Sequence, residues 1–300
     1  MTDNQRVVLI SGCSDGGTGA ALAREFHAHG FLVYATARNV SKMASLSSLG
    51  IKTLELNIGS EDSIARCVKD VPHLDILINN AGGSYTMPVS DLSITEAKKL
   101  FDTNLWGHIA VTQAFLPLLM KSRNAMIVNH TSVGAGMAIP FQAAYNASKA
   151  AMAMFSDTMR LELASFGIKV IQMRTGGVKT NIISNTQAKE SMIPADSIWS
   201  PARDLVDKAL TLEWAESQGI SPEQWAKEVV ADLTRPTPPP MVRRGASAWV
   251  AAMASMLPAG WLDGTSKKFC GLDNIETVIK EKSRDHSNAM RRSGQTTVAL

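Results

Sequence analysis

The chain has 300 residues, 45% of them hydrophobic and 19% charged, which is enough apolar material for one large core in a single main α/β domain. A formal net charge of +3 with scattered basic residues excludes the electrostatic footprint of a nucleic-acid binder. Three cysteines, Cys13, Cys67 and Cys270, and six histidines show no metal-ligand spacing, so a reducing compartment and no structural metal are expected.

The opening residues are polar and lead into a strand without an apolar leader, and no apolar run reaches bilayer-spanning length. A cytoplasmic protein, at most peripheral to a membrane or lipid droplet, is expected. Residues 7–10 are a short apolar, β-branched run that stops at a turn holding Gly12, Gly16, Gly17 and Gly19, and residues 20–29 read as a helix. Strand, glycine-rich turn and helix together make a phosphate cradle, because glycines let the backbone approach the anion and the helix N-terminus attracts it. The second strand, residues 31–37, ends in Arg38, and the third, residues 51–56, ends in Asn57. In a doubly wound sheet the residue just past the second strand lies beside the adenine ribose, where an arginine accommodates a 2′-phosphate. Arg38 therefore argues for NADPH.

Residues 74–78 are a near-continuous apolar run, as in a strand buried on both faces, ending in Asn79, Asn80, Ala81, Gly82 and Gly83. Ser93 and Glu96 have capping-box spacing and open a helix that runs to about Met120 and contains Asn104. Residues 125–129 are the fifth strand, followed by a loop carrying Ser132. Residues 143–166 form a long helix with Tyr145 and Lys149 four apart on one face, so that the ammonium can favour the phenolate electrostatically. Residues 168–173 are the sixth strand. This alternation predicts a single doubly wound, Rossmann-type α/β domain with a parallel sheet and ligands at the carboxyl ends of its strands.

Beyond Arg174 the pattern loosens. Residues 175–180 form a turn, and residues 181–190 are polar with the composition of a mobile lid. The mostly helical lid is expected to reach about residue 235, with helical stretches near 201–217 and 222–233. Residues 236–240 are extended, and Met241 and Val242 add a last strand. The apolar segment 247–262, with Trp249, Met253, Met256, Leu257, Pro258 and Trp261, suits core, a subunit contact, a substrate wall or a membrane-surface element. Substrate choice is expected to rest on that segment and on Ile182, Ile183, Met192, Ile193 and Trp199. Ala150, Met154, Thr158 and Leu161 follow helical spacing and suit core or an interface. The charged tail, residues 273–300, lacks an apolar face from about residue 280 and is expected to be disordered or held by a partner.

With these residues in place the chain resembles the short-chain dehydrogenase/reductase family over about residues 6–272. Within the family it is most similar to fungal NADPH-dependent 1-acyldihydroxyacetone-phosphate reductase-like and secondary-metabolite members. The resemblance rests on the loop from Ser11 to Gly19, on Asn79 to Gly82, on Asn104, Ser132, Tyr145 and Lys149, and on the Thr175 to Val178 turn. It implies a catalytic tetrad of Asn104, Ser132, Tyr145 and Lys149. Tyr145 protonates a carbonyl oxygen as hydride arrives from the nicotinamide, Ser132 hydrogen-bonds that oxygen, Lys149 also holds the nicotinamide ribose, and Asn104 positions a water linking Lys149 to solvent. The implied NADP(H) contacts are Gly12, Ser14, Asp15, Gly17, Thr18, Gly19, Arg38, Asn57, Ile58, Asn80, Ala81, Gly82, Tyr145, Lys149, Gly176, Val178 and Thr180. A homodimer or homotetramer is also implied.

Some positions depart from the family pattern. Gly16 is an extra residue in the loop, Asn57 replaces the usual aspartate, and Thr175 replaces the usual proline. Asp15 stands where many relatives have serine, and its carboxylate is unfavourable near phosphates unless it points away or caps the helix. The expected activity is NADPH-dependent reduction of a bulky, largely apolar ketone, or the reverse oxidation of an alcohol. The alternative is a non-redox dehydratase, epimerase or cyclase using the same acid and base. A cofactor-sensing scaffold is disfavoured, since a binding module needs no complete tetrad.

Overall fold

Among the described residues seven parallel strands carry the chain: β1 (Val7–Ser11), β2 (Leu32–Ala37), β3 (Lys52–Glu55), β4 (Ile76–Asn79), β5 (Met126–Ser132), β6 (Lys169–Thr175) and β7 (Met241–Arg244). They lie in the order β3-β2-β1-β4-β5-β6-β7. The structure is a computed structural model and describes residues 5–180, 192–212, 219–258 and 260–292. β1 and β4 are buried throughout, as strands covered on both faces must be. Strand order reverses between β1 and β4, which opens a crevice at their carboxyl ends where Gly12 and Asn80 follow.

The helices are α1 (Thr18–Ala28), α2 (Ala44–Ser47), α3 (Glu61–Asp70), α4 (Ile94–Phe101), α5 (Gly107–Leu119), α6 (Ala143–Leu163), α7 (Arg203–Leu210), α8 (Pro222–Leu233), α9 (Ala248–Ala254), α10 (Asp263–Cys270) and α11 (Leu272–Arg292). On one face of the sheet, Phe26 of α1 and Trp225 and Val229 of α8 close over Val8, Ile10 and Met173. On the other, Ile64 of α3 and Val111 and Phe115 of α5 close over Leu9, Leu77 and Ile127, with Met159 of α6 beside them. A third cluster joins Phe141, Ile193, Val206, Leu210 and Ile275. Among the described residues no helix is long and apolar enough to cross a membrane.

Several elements differ from the sequence expectation. Ser132 is the last residue of β5 rather than part of a loop, because the ladder to β6 continues as far as Thr175. The helix from Ser93 starts as expected, with Ser93 accepting from the Glu96 amide, but a π turn at Asp102–Trp106 interrupts it. α8 is core rather than lid: Trp225 is fully buried, and truncating such a side chain costs about 3–5 kcal/mol. The tail, expected to be disordered or held by a partner, begins with α11, where Ile275, Val278 and Ile279 supply an apolar face against the third cluster. Those three residues precede the charged stretch on which the expectation rested. The segment 247–262 buries only alanines of α9, Ala248 and Ala251, and leaves Trp249 and Trp261 61% and 72% exposed. It is therefore not core.

Candidate active site

The glycine-rich turn is closed by contacts that leave no room for side chains. Gly12 has φ +76°, and a Cβ there would lie 2.6 Å from the Ala81 Cα. A Cβ on Gly19 would lie 2.6 Å from Asn80 Nδ2 and would overlap the Gly12 carbonyl. Asn80 knits the turn together: Nδ2 donates to the Ser11 and Gly12 carbonyls at 2.8 and 3.1 Å, and Oδ1 accepts from Thr18 Oγ1 at 2.9 Å. Ser11 Oγ receives the amides of Asn80 and Ala81. α1 opens at Gly17 with no side-chain cap and no acid in its first turn, so its leading N–H groups face the crevice for an anion. Ser14 closes the turn by accepting from the Gly17 amide at 3.1 Å. These features fit a dinucleotide diphosphate.

Asp15 does not oppose an anion there. Its carboxylate accepts from the Ser45 amide and hydroxyl and pairs with Arg24 at 3.6 Å, which turns it toward α2 and neutralises it in part. At the adenine end, Arg38 is exposed just beyond β2. Asn57 Oδ1 accepts from the Gly59 amide at 3.1 Å, and Ile58 is buried, so close that a Cβ on Gly107 would lie 2.9 Å from its Cγ1. Across the crevice, Gly176 donates to the Arg244 carbonyl, Val178 bridges to Ile220, and Thr180 ends the described run beyond β6.

The structure brings Asn104, Ser132, Tyr145 and Lys149 together at the carboxyl end of β5. Ser132 accepts from the Gly134 amide at 3.1 Å and lies beside the Tyr145 phenol. Lys149 Nζ donates to the His130 carbonyl at 3.0 Å and lies 5.9 Å from the Tyr145 ring centroid. Asn104, fully buried in the π turn, holds Gly83 by both its amide and its carbonyl, at 2.9 and 3.1 Å, and donates to Ser148 Oγ at 3.0 Å. A Cβ on Gly82 would lie 3.3 Å from Asn104 Oδ1 and 3.7 Å from Lys149 Nζ, which places that turn between the two side chains.

The electrostatics differ from the simple reading of the Tyr–Lys pair. Burial pushes the Tyr145 phenol up, and Ser132 beside it pulls it part of the way back. Burial also lowers Lys149 to about 8. At this separation the lysine does not set the phenol's acidity; desolvation dominates both groups.

The short chain dehydrogenase family profile matches residues 6–191. The chain belongs to the short chain dehydrogenase family. It is 50% identical over 281 residues to a short-chain dehydrogenase/reductase of Pestalotiopsis microspora, covering 93% of this chain and 99% of that one. Over 223 residues it is 42% identical to the NADPH-dependent 1-acyldihydroxyacetone phosphate reductase of Schizosaccharomyces pombe, covering 70% of this chain and 75% of that one. Among solved structures, a short-chain dehydrogenase from Streptomyces avermitilis superposes with TM-score 0.71 at 22% identity, covering 96% of this chain and 99% of that one. A Burkholderia cenocepacia short chain dehydrogenase in complex with NADP superposes with TM-score 0.69 at 24% identity, covering 89% and 99%.

Within this family member, two histidines absent from the sequence reading adjoin the lysine. His108 is buried in α5, its Nε2 donating to the Ala81 carbonyl at 2.6 Å, and burial followed by the Lys149 charge lowers it to about 3. His130 bonds Asn80 Oδ1 through Nδ1 at 2.9 Å and stacks on Trp225 at 5.4 Å. Burial, then Lys149, then His108 hold it well below the usual histidine value, so both rings are neutral. His130 alternates with Ser132 along the strand, a faint signal; His108 had none beyond its helical position. Of the residues expected to read a substrate, Trp199 donates to Ser90 Oγ at 3.0 Å and meets Phe141 edge-on at 5.7 Å. Ile193, expected to line the substrate, is buried in the third cluster instead, whereas Met192 is exposed. Ile182 and Ile183 lie outside the described residues.

Proposed function

We propose that the protein is an NADPH-dependent carbonyl reductase, or alcohol dehydrogenase in reverse, acting on a bulky, largely apolar ketone. The observation that carries this reading is the buried Tyr145 phenol beside Ser132, with Lys149 on the next turn, set beside a glycine turn shaped for a dinucleotide. When bound, the nicotinamide supplies the hydride. Ser132, its oxygen fixed by the Gly134 amide, holds the ketone oxygen in place with its hydroxyl proton. Tyr145 delivers a proton to the same oxygen, and its raised pKa keeps that proton on the phenol until negative charge develops there. Lys149, on the next turn and lowered to about 8 by burial, returns a proton to the phenolate that remains. Asn104 fixes the Gly82–Gly83 turn beside the lysine.

The preference for NADPH rests on Arg38, exposed where a 2′-phosphate would reach it, and on Asp15 being turned toward Ser45 and Arg24. The activity of the Schizosaccharomyces pombe relative, an NADPH-dependent 1-acyldihydroxyacetone phosphate reductase, supports both the cofactor and a ketone substrate. An apolar face formed by Trp106, Met154, Phe155 and Leu161, all exposed, suits burial in a homodimer or homotetramer. Initial rates of NADPH oxidation over a panel of ketones test the function. Ketone-dependent consumption is expected, whereas product formation with the cofactor unchanged would establish the non-redox alternative.

A further inference from the structure

Two arginines stand side by side at the carboxyl ends of β6 and β7. The parallel register pairs Arg174 with Arg243, so both side chains leave the sheet on one face. That face is the one α6 covers, since Gln172, two residues before Arg174, donates to the Ala153 carbonyl. Arg174 is locked in place: its Nε and Nη2 both donate to Gln172 Oε1, at 3.1 and 2.7 Å. Its Nη1 then points at the loop beyond Ser132, 3.6 Å from where a Cβ on Gly136 would stand. Arg243 lies over the Trp249 ring at 5.5 Å, and its Nε is buried without a hydrogen-bond partner.

Neither arginine makes an ion pair among the described residues, and Asp157 is the acid whose charge reaches Arg174. Burial, then the Arg243 charge, lower the Arg174 guanidinium from its usual value, as expected of like charges held together. The next residue along β7 shows the contrast. Arg244, on the opposite face, is answered by Asp232 at 2.8 Å and Glu228 at 3.9 Å from α8. Two half-buried guanidiniums without a carboxylate are an unfavourable arrangement for the protein alone, and an anion placed between them reverses the sign of the interaction.

Their link to the site runs through the loop after β5. Thr131 is paired with Arg174, so the arginines lie one and two strands from β5, about 5 and 10 Å across the sheet. They lie on the face opposite to the one Ser132 takes by alternation, and Arg174 Nη1 reaches the loop after Ser132 at Gly136. Above them, α9 and the residues after it expose Trp249, Met253 and Met256.

We propose that Arg174 and Arg243 form a binding site for the anionic group, a phosphate or a carboxylate, of an amphiphilic ketone substrate whose apolar chain lies along Trp249, Met253 and Met256. The proposal rests on the carbonyl-reductase reading for the reaction itself, but anion binding can be measured without turnover. With NADPH saturating, so that the glycine turn is filled, inorganic phosphate and dodecyl phosphate are titrated against the wild type, Arg174→Gln, Arg243→Gln and Arg243→Lys, with thermal shift and calorimetry as readouts. Dodecyl phosphate should bind more tightly than phosphate. Each glutamine variant should lose about tenfold or more in affinity, with partial rescue by lysine, because charge-assisted bidentate pairing is lost first. Arg243→Gln leaves the Arg174–Gln172 bonds in place and so separates anion binding from folding.

In turnover, the ratio of kcat/KM for a long-chain keto phosphate over its dephosphorylated neutral counterpart should fall by a similar factor in each glutamine variant. If the neutral ketone is reduced and the ratio is unchanged, the anion site is wrong and the reductase reading stands. If no ketone consumes NADPH but the amphiphile still binds through both arginines, the reaction assignment fails and the site stands. Equal phosphate binding in all four proteins overturns the proposal. So does arginine-dependent binding to vesicles of anionic phospholipid without any effect on soluble phosphate esters, which would make the pair a membrane contact.

Discussion

The nucleotide end of the sheet and the β6–β7 end are built from the same parallel ladder but leave their polar groups in different states. Around Gly12 and Gly19 the Asn80 side chain has its partners within the chain, and even the misplaced acid, Asp15, is absorbed by Ser45 and Arg24. At the other end Arg174 and Arg243 face each other with no acid in contact, beneath exposed Trp249 and Met253. The first region is rigid before any ligand arrives, since its glycines are set by contact with backbone. The second is completed by what binds. Such a division lets one scaffold keep a fixed cofactor geometry while the substrate end varies.

The largest effect should come where the two ends meet. Tyr145→Phe removes the transferable proton and is expected to lower kcat about a hundredfold or more while NADPH affinity, measured by fluorescence titration, is nearly unchanged. Near wild-type turnover would take Tyr145 out of the mechanism. Next, Gly19→Ala should weaken NADPH binding about tenfold or more, because the added methyl meets Asn80 Nδ2 at 2.6 Å and the Gly12 carbonyl. Unaltered binding would mean the turn yields and is not pre-set. Arg38→Ala should reduce the NADPH-over-NADH preference by roughly tenfold without touching NADH affinity. Equal loss for both cofactors would place the arginine on the shared diphosphate instead.

The smallest effect tests the electrostatics of the junction. Lys149 drops from its ordinary 10.5 to about 8 in the folded chain, so between those values the unfolded state binds more protons and stability rises with pH. The slope cannot exceed about 1.4 kcal/mol per pH unit from this one group. Denaturant unfolding at pH 8 and pH 10 should show the increment in the wild type and its absence in Lys149→Met. The same slope in both proteins would assign it to other groups.

Most of the nucleotide end was legible in the sequence because its signals are local. A β-branched run, a glycine cluster and a helix follow one another within 22 residues, β1 to α1, and the Tyr145–Lys149 pair shares a single helix face. The substrate end was not legible in the same way. Arg174 and Arg243 are far apart in sequence and become neighbours only through the β6–β7 register, which no local pattern announces. The same holds for His130, whose role follows from Trp225 arriving beneath it. Residues 222–233 read correctly as a helix but were assigned to a lid, since an amphipathic pattern does not say which surface it covers. The expectation for the tail rests on the charged stretch from about residue 280, and the three apolar residues just before it, Ile275, Val278 and Ile279, seat the start of α11 on the third cluster.

The stacking of α8 on α1 has a consequence for synthesis on the ribosome. α1 is complete at Ala28, yet the helix that covers it ends at Leu233, about two hundred residues later, a delay of about 10–40 s at 5–20 residues per second. Throughout that interval the apolar side of α1, with Phe26, and the underside of each strand laid beside it remain uncovered. The nascent chain therefore carries an uncovered apolar face until α8 emerges. An interruption of synthesis before Pro222 leaves a fragment that carries the glycine turn and the tetrad but lacks the layer that seals one face of their sheet.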